Sequence, residues 1–277
     1  MRLRARLHLS APAIALVLAL ATACGTSASV ADRANASSKI TIGVRVDQPG
    51  LSLRTVDGKY QGFDVDVAKY IAKELGVSES GITWKEVSPS DREKVIQNGA
   101  VDIVVATYTI TDKRKQQVDF AGPYFSVGQD LLIRSTTNDI TGPESLNNGK
   151  TLCSVAGTTN AQQIKDRFAQ RVTLLEYPKY YDCVIALIDG KVDAVTSDDV
   201  ILAGYAAQNP ELLRVVGKPF TNDKYGIGLK KGDTTTRQKI NAAIDKMVRD
   251  GSWRRSLDKY VAPSGYKVPD PPTVSTN

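Results

Sequence analysis

The sequence predicts an α/β protein of two similar lobes with a ligand cleft between them, and three observations carry that expectation. Its 277 residues can bury one large core or two smaller ones. Short β-branched runs alternate with amphipathic helical runs, the pattern of parallel sheets covered by helices. One stretch recurs: Asn98–Thr107 reads NGAVDIVVAT, and Asp189–Asp198 reads DGKVDAVTSD.

In chain order, the first segment stands apart from the fold. Arg2, Arg4 and Arg6 precede the apolar run Ala11–Ala21, which ends in Ala21-Thr22-Ala23-Cys24. A basic segment, a short apolar segment and small residues make residues 1–23 a secretory signal. The run falls short of the roughly 20 apolar residues of a spanning helix. Small residues followed by Cys resemble a bacterial lipobox, in which Cys24 is lipidated and anchors the protein to the outer face of the cell membrane. Ala21 stands where a Leu is usual, and ordinary cleavage nearby is the alternative. Residues 24–38, rich in Ser and Ala, are then expected to be a flexible tether.

Loss of residues 1–23 lowers the formal charge from +6 to +3, because that segment holds three Arg and no acid. No dense Lys/Arg stripe remains, which argues against a nucleic-acid partner. The only histidine, His8, leaves with the signal. Ser-His-Asp and Cys-His catalysis and most His-based metal sites leave with it, and no cofactor is indicated. Beyond Cys24 the cysteines are Cys153 and Cys183. In an exported protein such a pair is most simply a disulfide, with two buried thiols as the alternative.

The fold proper starts at the strand Lys39–Val46 (KITIGVRV). Gly62–Gly76 is an amphipathic helix with Asp64 as its N-cap, the stripe Val67, Ala68, Ile71 and Leu75, and a Gly76 stop. Ser90-Asp91-Arg92-Glu93 has capping-box spacing before Val95 and Ile96, and Gly99 ends that helix. The recurring stretch then aligns Gly99 with Gly190, Val101 with Val192, Asp102 with Asp193 and Val104 with Val195. By that register Thr107 and Asp198 occupy equivalent carboxyl ends of strands, where open α/β sheets bind ligands. From Thr107 the chain passes straight into TYTITDKR, hydroxyls followed by a fixed positive charge, the makings of a site for a small anion.

These residues also carry a family resemblance. Gly62–Leu75 resembles the signature of the amino-acid group of type 2 extracytoplasmic solute-binding proteins: Gly, aromatic, acid, aliphatic, acid, aliphatic, then helix. The similarity continues through Thr109-Ile110-Thr111-Asp112-Lys113-Arg114, Asp119-Phe120-Ala121-Gly122-Pro123-Tyr124 and Tyr225–Gly232. Asp47-Gln48-Pro49-Gly50-Leu51, Leu152-Cys153-Ser154-Val155 and Cys183 are similar to actinobacterial glutamate-binding lipoproteins of ABC importers.

The resemblance implies the periplasmic-binding-protein-like type 2 fold, with lobe one at 39–131 plus 224–263 and lobe two at 132–223. Residues 264–277 are expected to be a disordered tail. It implies a monomer that captures an amino acid by lobe closure and hands it to an ABC permease. Glutamate is the expected ligand; aspartate, glutamine and asparagine are the others. A sensing domain, or an enzyme such as a dehydratase on the same fold, is the alternative. Residue by residue, Arg114 is expected to grip the ligand's α-carboxylate, aided by Thr109, Thr158 and Thr159. Thr107, through its carbonyl, and Asp198 are expected to take the ammonium, and the neighbouring Asp199 is read as a solvated helix-start residue. Arg45 is the candidate for the ligand's side-chain carboxylate. Tyr108, Tyr124, Tyr180 and Tyr181 are candidate cleft walls, left unranked.

Overall fold

The computed structural model describes residues 28–274. The signal segment and Cys24 lie outside the described residues. The chain runs α1 (Val30–Ser37), β1 (Ile40–Val44), β2 (Asp47–Gln48), β3 (Ser52–Arg54), β4 (Tyr60–Gln61), α2 (Phe63–Glu74), β5 (Ile82–Glu86), α3 (Arg92–Gln97), β6 (Ile103–Val104), α4 (Asp112–Lys115) and β7 (Asp119–Val127). It continues through β8 (Gln129–Arg134), β9 (Thr151–Val155), α5 (Asn160–Arg167), β10 (Thr173–Tyr177), α6 (Tyr180–Ile188), β11 (Ala194–Asp198), α7 (Asp199–Gln208) and β12 (Leu213–Val215). It returns with β13 (Asp223–Leu229), α8 (Thr234–Arg249) and α9 (Ser252–Tyr260).

Two sheets of the same order result, β5-β1-β6-β13-β7 and β10-β9-β11-β8-β12, with β2, β3 and β4 as a small separate sheet. The sheets are mixed rather than wholly parallel. In each, the strand entered straight after a crossover runs antiparallel to its neighbours: β8 in the second sheet and β13 in the first. The first crossover falls at Gly128, since β8 belongs to the second sheet; the expected boundary lay three residues later.

The recurring stretch has a physical cause. In lobe one the Asp102 carboxylate accepts the Thr41 N–H at 2.8 Å, while the Asp102 N–H donates to the Thr41 carbonyl at 2.8 Å. In lobe two Asp193 does the same to Thr151, at 2.7 and 2.8 Å. Gly99 and Gly190 leave the preceding helices at φ 72° and 75°, a left-handed turn that suits glycine. Each Gly-x-Val-Asp thus ends a helix and stitches the next strand to a parallel neighbour, β1 in lobe one and β9 in lobe two.

Three expectations are corrected. Residues 30–37 of the expected tether form α1, with Val30, Ala31 and Ala34 buried and the Ala31 N–H donated to Thr236 Oγ1 at 2.9 Å. That apolar face, and a Ser29 cap on the Asp32 N–H, outweigh the polar composition. The tail packs through Tyr266, whose hydroxyl donates to Asp199 at 3.1 Å, and Val268 and Val274 lie against the core. Asp199 is therefore not a solvated helix start: it also accepts the Gly128 N–H at 3.3 Å, and burial pushes its carboxyl up to about 6.

Candidate functional site

The strand ends of both sheets converge on one small cleft, all but closed between the lobes. It is lined by Gln48, Arg92, Thr107, Thr109 and Arg114 from lobe one, and by Thr158, Thr159, Asn160, Tyr180, Asp198 and Ile201 from lobe two. Six of the seven expected ligand residues are thus brought together, and Arg45 is not.

Arg45 is buried elsewhere. Its Nε and Nη2 hold the Asp47 carboxylate through hydrogen bonds of 2.8–3.1 Å, and its Nη1 donates to the Val87 carbonyl at 3.1 Å. A guanidinium so satisfied has no call for a ligand anion. The partner two residues along the chain is what the strand-end reading overlooked.

Arg92, and not Arg45, lines the cleft. It is 3% exposed, its Nε has no partner, and its one hydrogen bond is a long one, Nη1 to the Thr107 carbonyl at 3.5 Å. Among the described residues it forms no ion pair within 4.0 Å. Burial, with Arg114 and Arg45 nearby, lowers its pKa to about 10, still well above neutrality. Its guanidinium lies 4.9 Å from the centre of the Tyr108 ring, and that of Arg114 lies 5.0 Å from the same centre. The sequence hid Arg92 because helix-start spacing explained it as an ordinary first-turn residue.

Arg114 is 7% exposed and splits its donors. Nη1 binds the Thr109 carbonyl at 2.8 Å, Nε lies 3.4 Å from Glu93, and Nη2 reaches across the cleft to the Gly157 carbonyl at 3.3 Å. The lobes meet there: a Cβ on Gly157 would sit 2.6 Å from the Ser90 nitrogen. Thr107 has φ 46°, rare for a β-branched residue. Its N–H is held by the Asp64 carboxylate at 2.7 Å, and its hydroxyl shares a bond with Gln48. Asp64 therefore serves the site rather than capping α2, whose N-cap is Gly62.

Opposite, Thr159 precedes α5 without a side-chain cap bond, and the Thr158 hydroxyl turns back to the Val155 carbonyl at 2.7 Å. The first N–H groups of α5 are left without a side-chain cap, an arrangement that attracts carboxylates. Asp198 accepts from Asn160 Nδ2 at 2.9 Å and from the Tyr225 hydroxyl across the cleft. Burial pushes its carboxyl up to about 6, against the lowering pull of those two bonds. Of the four tyrosines, Tyr180 lines the cleft and Tyr108 supports the arginines. Tyr124 is buried with its hydroxyl on Asp64, and Tyr181 is exposed.

Polar groups of both signs, set for a small zwitterion on strand ends of two like lobes, describe a capture cleft. Residues 40–263 match the model of bacterial extracellular solute-binding proteins, family 3. The chain belongs to that family.

Among the relatives of this solute-binding protein is the "Glutamate-binding protein GluB" of Corynebacterium efficiens, 46% identical over 230 residues, covering 80% of this chain and 78% of that one. The "ABC transporter glutamine-binding protein GlnH" of Bacillus subtilis is 38% identical over 237 residues, covering 85% and 84%. Among solved structures, an ancestral arginine-binding protein bound to glutamine matches with TM-score 0.75 and 32% identity, covering 80% of this chain and 97% of that one. The type 2 two-lobed fold of this solute-binding protein is that of the family. The Cys153–Cys183 disulfide ties β9 to α6, with Cα atoms 5.6 Å apart.

Proposed function

We propose that this protein captures an α-amino acid with an acidic side chain, L-glutamate above others, and delivers it to an ABC importer. Arg114, the Thr109 hydroxyl and the α5 N-terminus at Thr158 and Thr159 receive the α-carboxylate. Asp198 and the Thr107 carbonyl receive the ammonium. Arg92 receives the side-chain carboxylate, replacing Arg45 in that role. Lipidated Cys24 holds the protein at the outer face of the membrane.

The observation that carries the acidic side chain is Arg92. A buried guanidinium in the cleft wall, with an unpartnered Nε and no ion pair among the described residues, is matched by an anion. Arg114 and Arg45 nearby deepen the positive field. The GluB relative supports glutamate, while GlnH supports the amino-acid class and the importer. Calorimetry against the twenty amino acids tests it. Glutamate binds most tightly, aspartate more weakly because its carboxylate falls one methylene short, and glutamine less well because it is neutral. Tighter binding of glutamine or asparagine overturns the acidic reading.

A further inference from the structure

The Arg45–Asp47 pair sits on the seam between the lobes, and lobe two is fastened to it twice. The Asp47 carboxylate that Arg45 holds also accepts the Tyr180 N–H, the first of α6, at 3.3 Å. The Asp47 carbonyl accepts the Tyr205 hydroxyl from α7. The two helices approach the same short stretch: a Cβ on Gly204 of α7 would lie 2.5 Å from the Pro49 carbonyl oxygen. Asp47 is 8% exposed on its side chain and Arg45 2%. Asp47 is absent from the cleft lining.

We propose that Asp47 is a closure latch and Arg45 its positioning residue. Opening the lobes breaks the Tyr180 and Tyr205 bonds and leaves the Arg45–Asp47 pair intact on lobe one. The pair is thus kept in shape while open, so closure costs no reorganisation of the charge. A carboxylate at the start of α6 is favoured by the helix's free N–H groups. The latch touches no ligand atom, so it scales the affinity for every ligand alike. That separates it from Arg92, whose partner is one part of one ligand. The inference rests on the proposed cleft for its ligand arm only.

The test uses full-length mature protein with its disulfide intact, glutamate and glutamine as probes, and three variants. In Tyr205→Phe, Asp47→Asn and Arg45→Met, Kd for both amino acids rises by the same factor, about tenfold for one lost hydrogen bond in Tyr205→Phe. The rise lies in a faster release, with association little changed. A changed glutamate-to-glutamine ratio, or wild-type release rates in folded Tyr205→Phe, overturns the latch. Should Asp47→Asn or Arg45→Met fail to fold, Tyr205→Phe decides alone. Should neither amino acid bind the wild type, spin labels at exposed Val56 and Leu212, one in each lobe, decide without ligand. Loss of the shorter inter-lobe distance in Tyr205→Phe supports the latch, and an unchanged distribution contradicts it.

Discussion

The Asp64 carboxylate accepts the Thr107 N–H at 2.7 Å and the Tyr124 hydroxyl at 2.8 Å, holding Thr107 at φ 46° in the cleft wall. A left-handed threonine costs of order 1–3 kcal/mol and persists only where its surroundings fix it. Asp64→Ala removes that hold and orphans a buried N–H, at about 1–3 kcal/mol more. Chemical denaturation is expected to show a loss of that size. Amino-acid affinity should fall as well, because the Thr107 carbonyl turns with its peptide. Full affinity in folded Asp64→Ala would detach Thr107 from the ligand.

Acid should act on binding and stability in opposite directions. Burial raises the Asp198 carboxyl to about 6; Tyr225, Asn160, Tyr180, Arg92 and Asp223 are the groups around it. In the proposed cleft the ligand's ammonium needs the Asp198 carboxylate, so below pH 6 affinity should fall by about tenfold per pH unit. For folding the sign reverses. A folded pKa above the unfolded one favours the protonated form in the native state. This contribution to stability is therefore complete below about 4 and lost as pH rises through about 6. Asp64 and Asp199, also raised to about 6 by burial, act likewise. Titrations at pH 5 and 7 should show this fall in wild type and a flat, weak response in Asp198→Asn. An equally steep response in that variant assigns the titration elsewhere.

The sequence made the strand ends legible because a local chemical device repeats. Gly99-x-Val101-Asp102 and Gly190-x-Val192-Asp193 do the same stitching, so their register located Thr107 and Asp198. Arg45 and Arg92 were not separable in that way. Whether a buried guanidinium is free depends on which acid reaches it. Asp47 bends back to Arg45 in space, while the neighbouring Glu93 lies beside Arg114. The antiparallel strands β8 and β13 escaped because strand direction after a crossover leaves no mark on hydrophobic period. Helix α1 escaped because its apolar face is only Val30, Ala31 and Ala34, set among polar residues.

The disulfide spans 30 residues and pins α6, whose first residue Tyr180 lines the cleft. Peptide mapping without reductant should recover the Cys153–Cys183 cross-link. The Cys153→Ser, Cys183→Ser double variant should lose about 3–4 kcal/mol in the chain-entropy account. Alkylation of both cysteines in native, unreduced protein contradicts the cross-link.

The proposed α-carboxylate clamp would serve every α-amino acid alike. Arg114→Ala should therefore weaken glutamate and glutamine together, by about 2–5 kcal/mol, as removal of one member of a desolvated charge pair does. Arg114→Lys should recover only part, because an ammonium lacks the two-pronged geometry. Near-wild-type Kd in folded Arg114→Ala would remove it from the site.

The central claim is that Arg92 reads an anionic side chain, and calorimetry of glutamate and glutamine against wild type and Arg92→Met tests it most directly. Wild type should prefer glutamate. In Arg92→Met glutamate should lose about 2–5 kcal/mol while glutamine loses much less, so the preference collapses. Equal losses for the two ligands, or an undiminished preference for glutamate in the variant, would contradict the account.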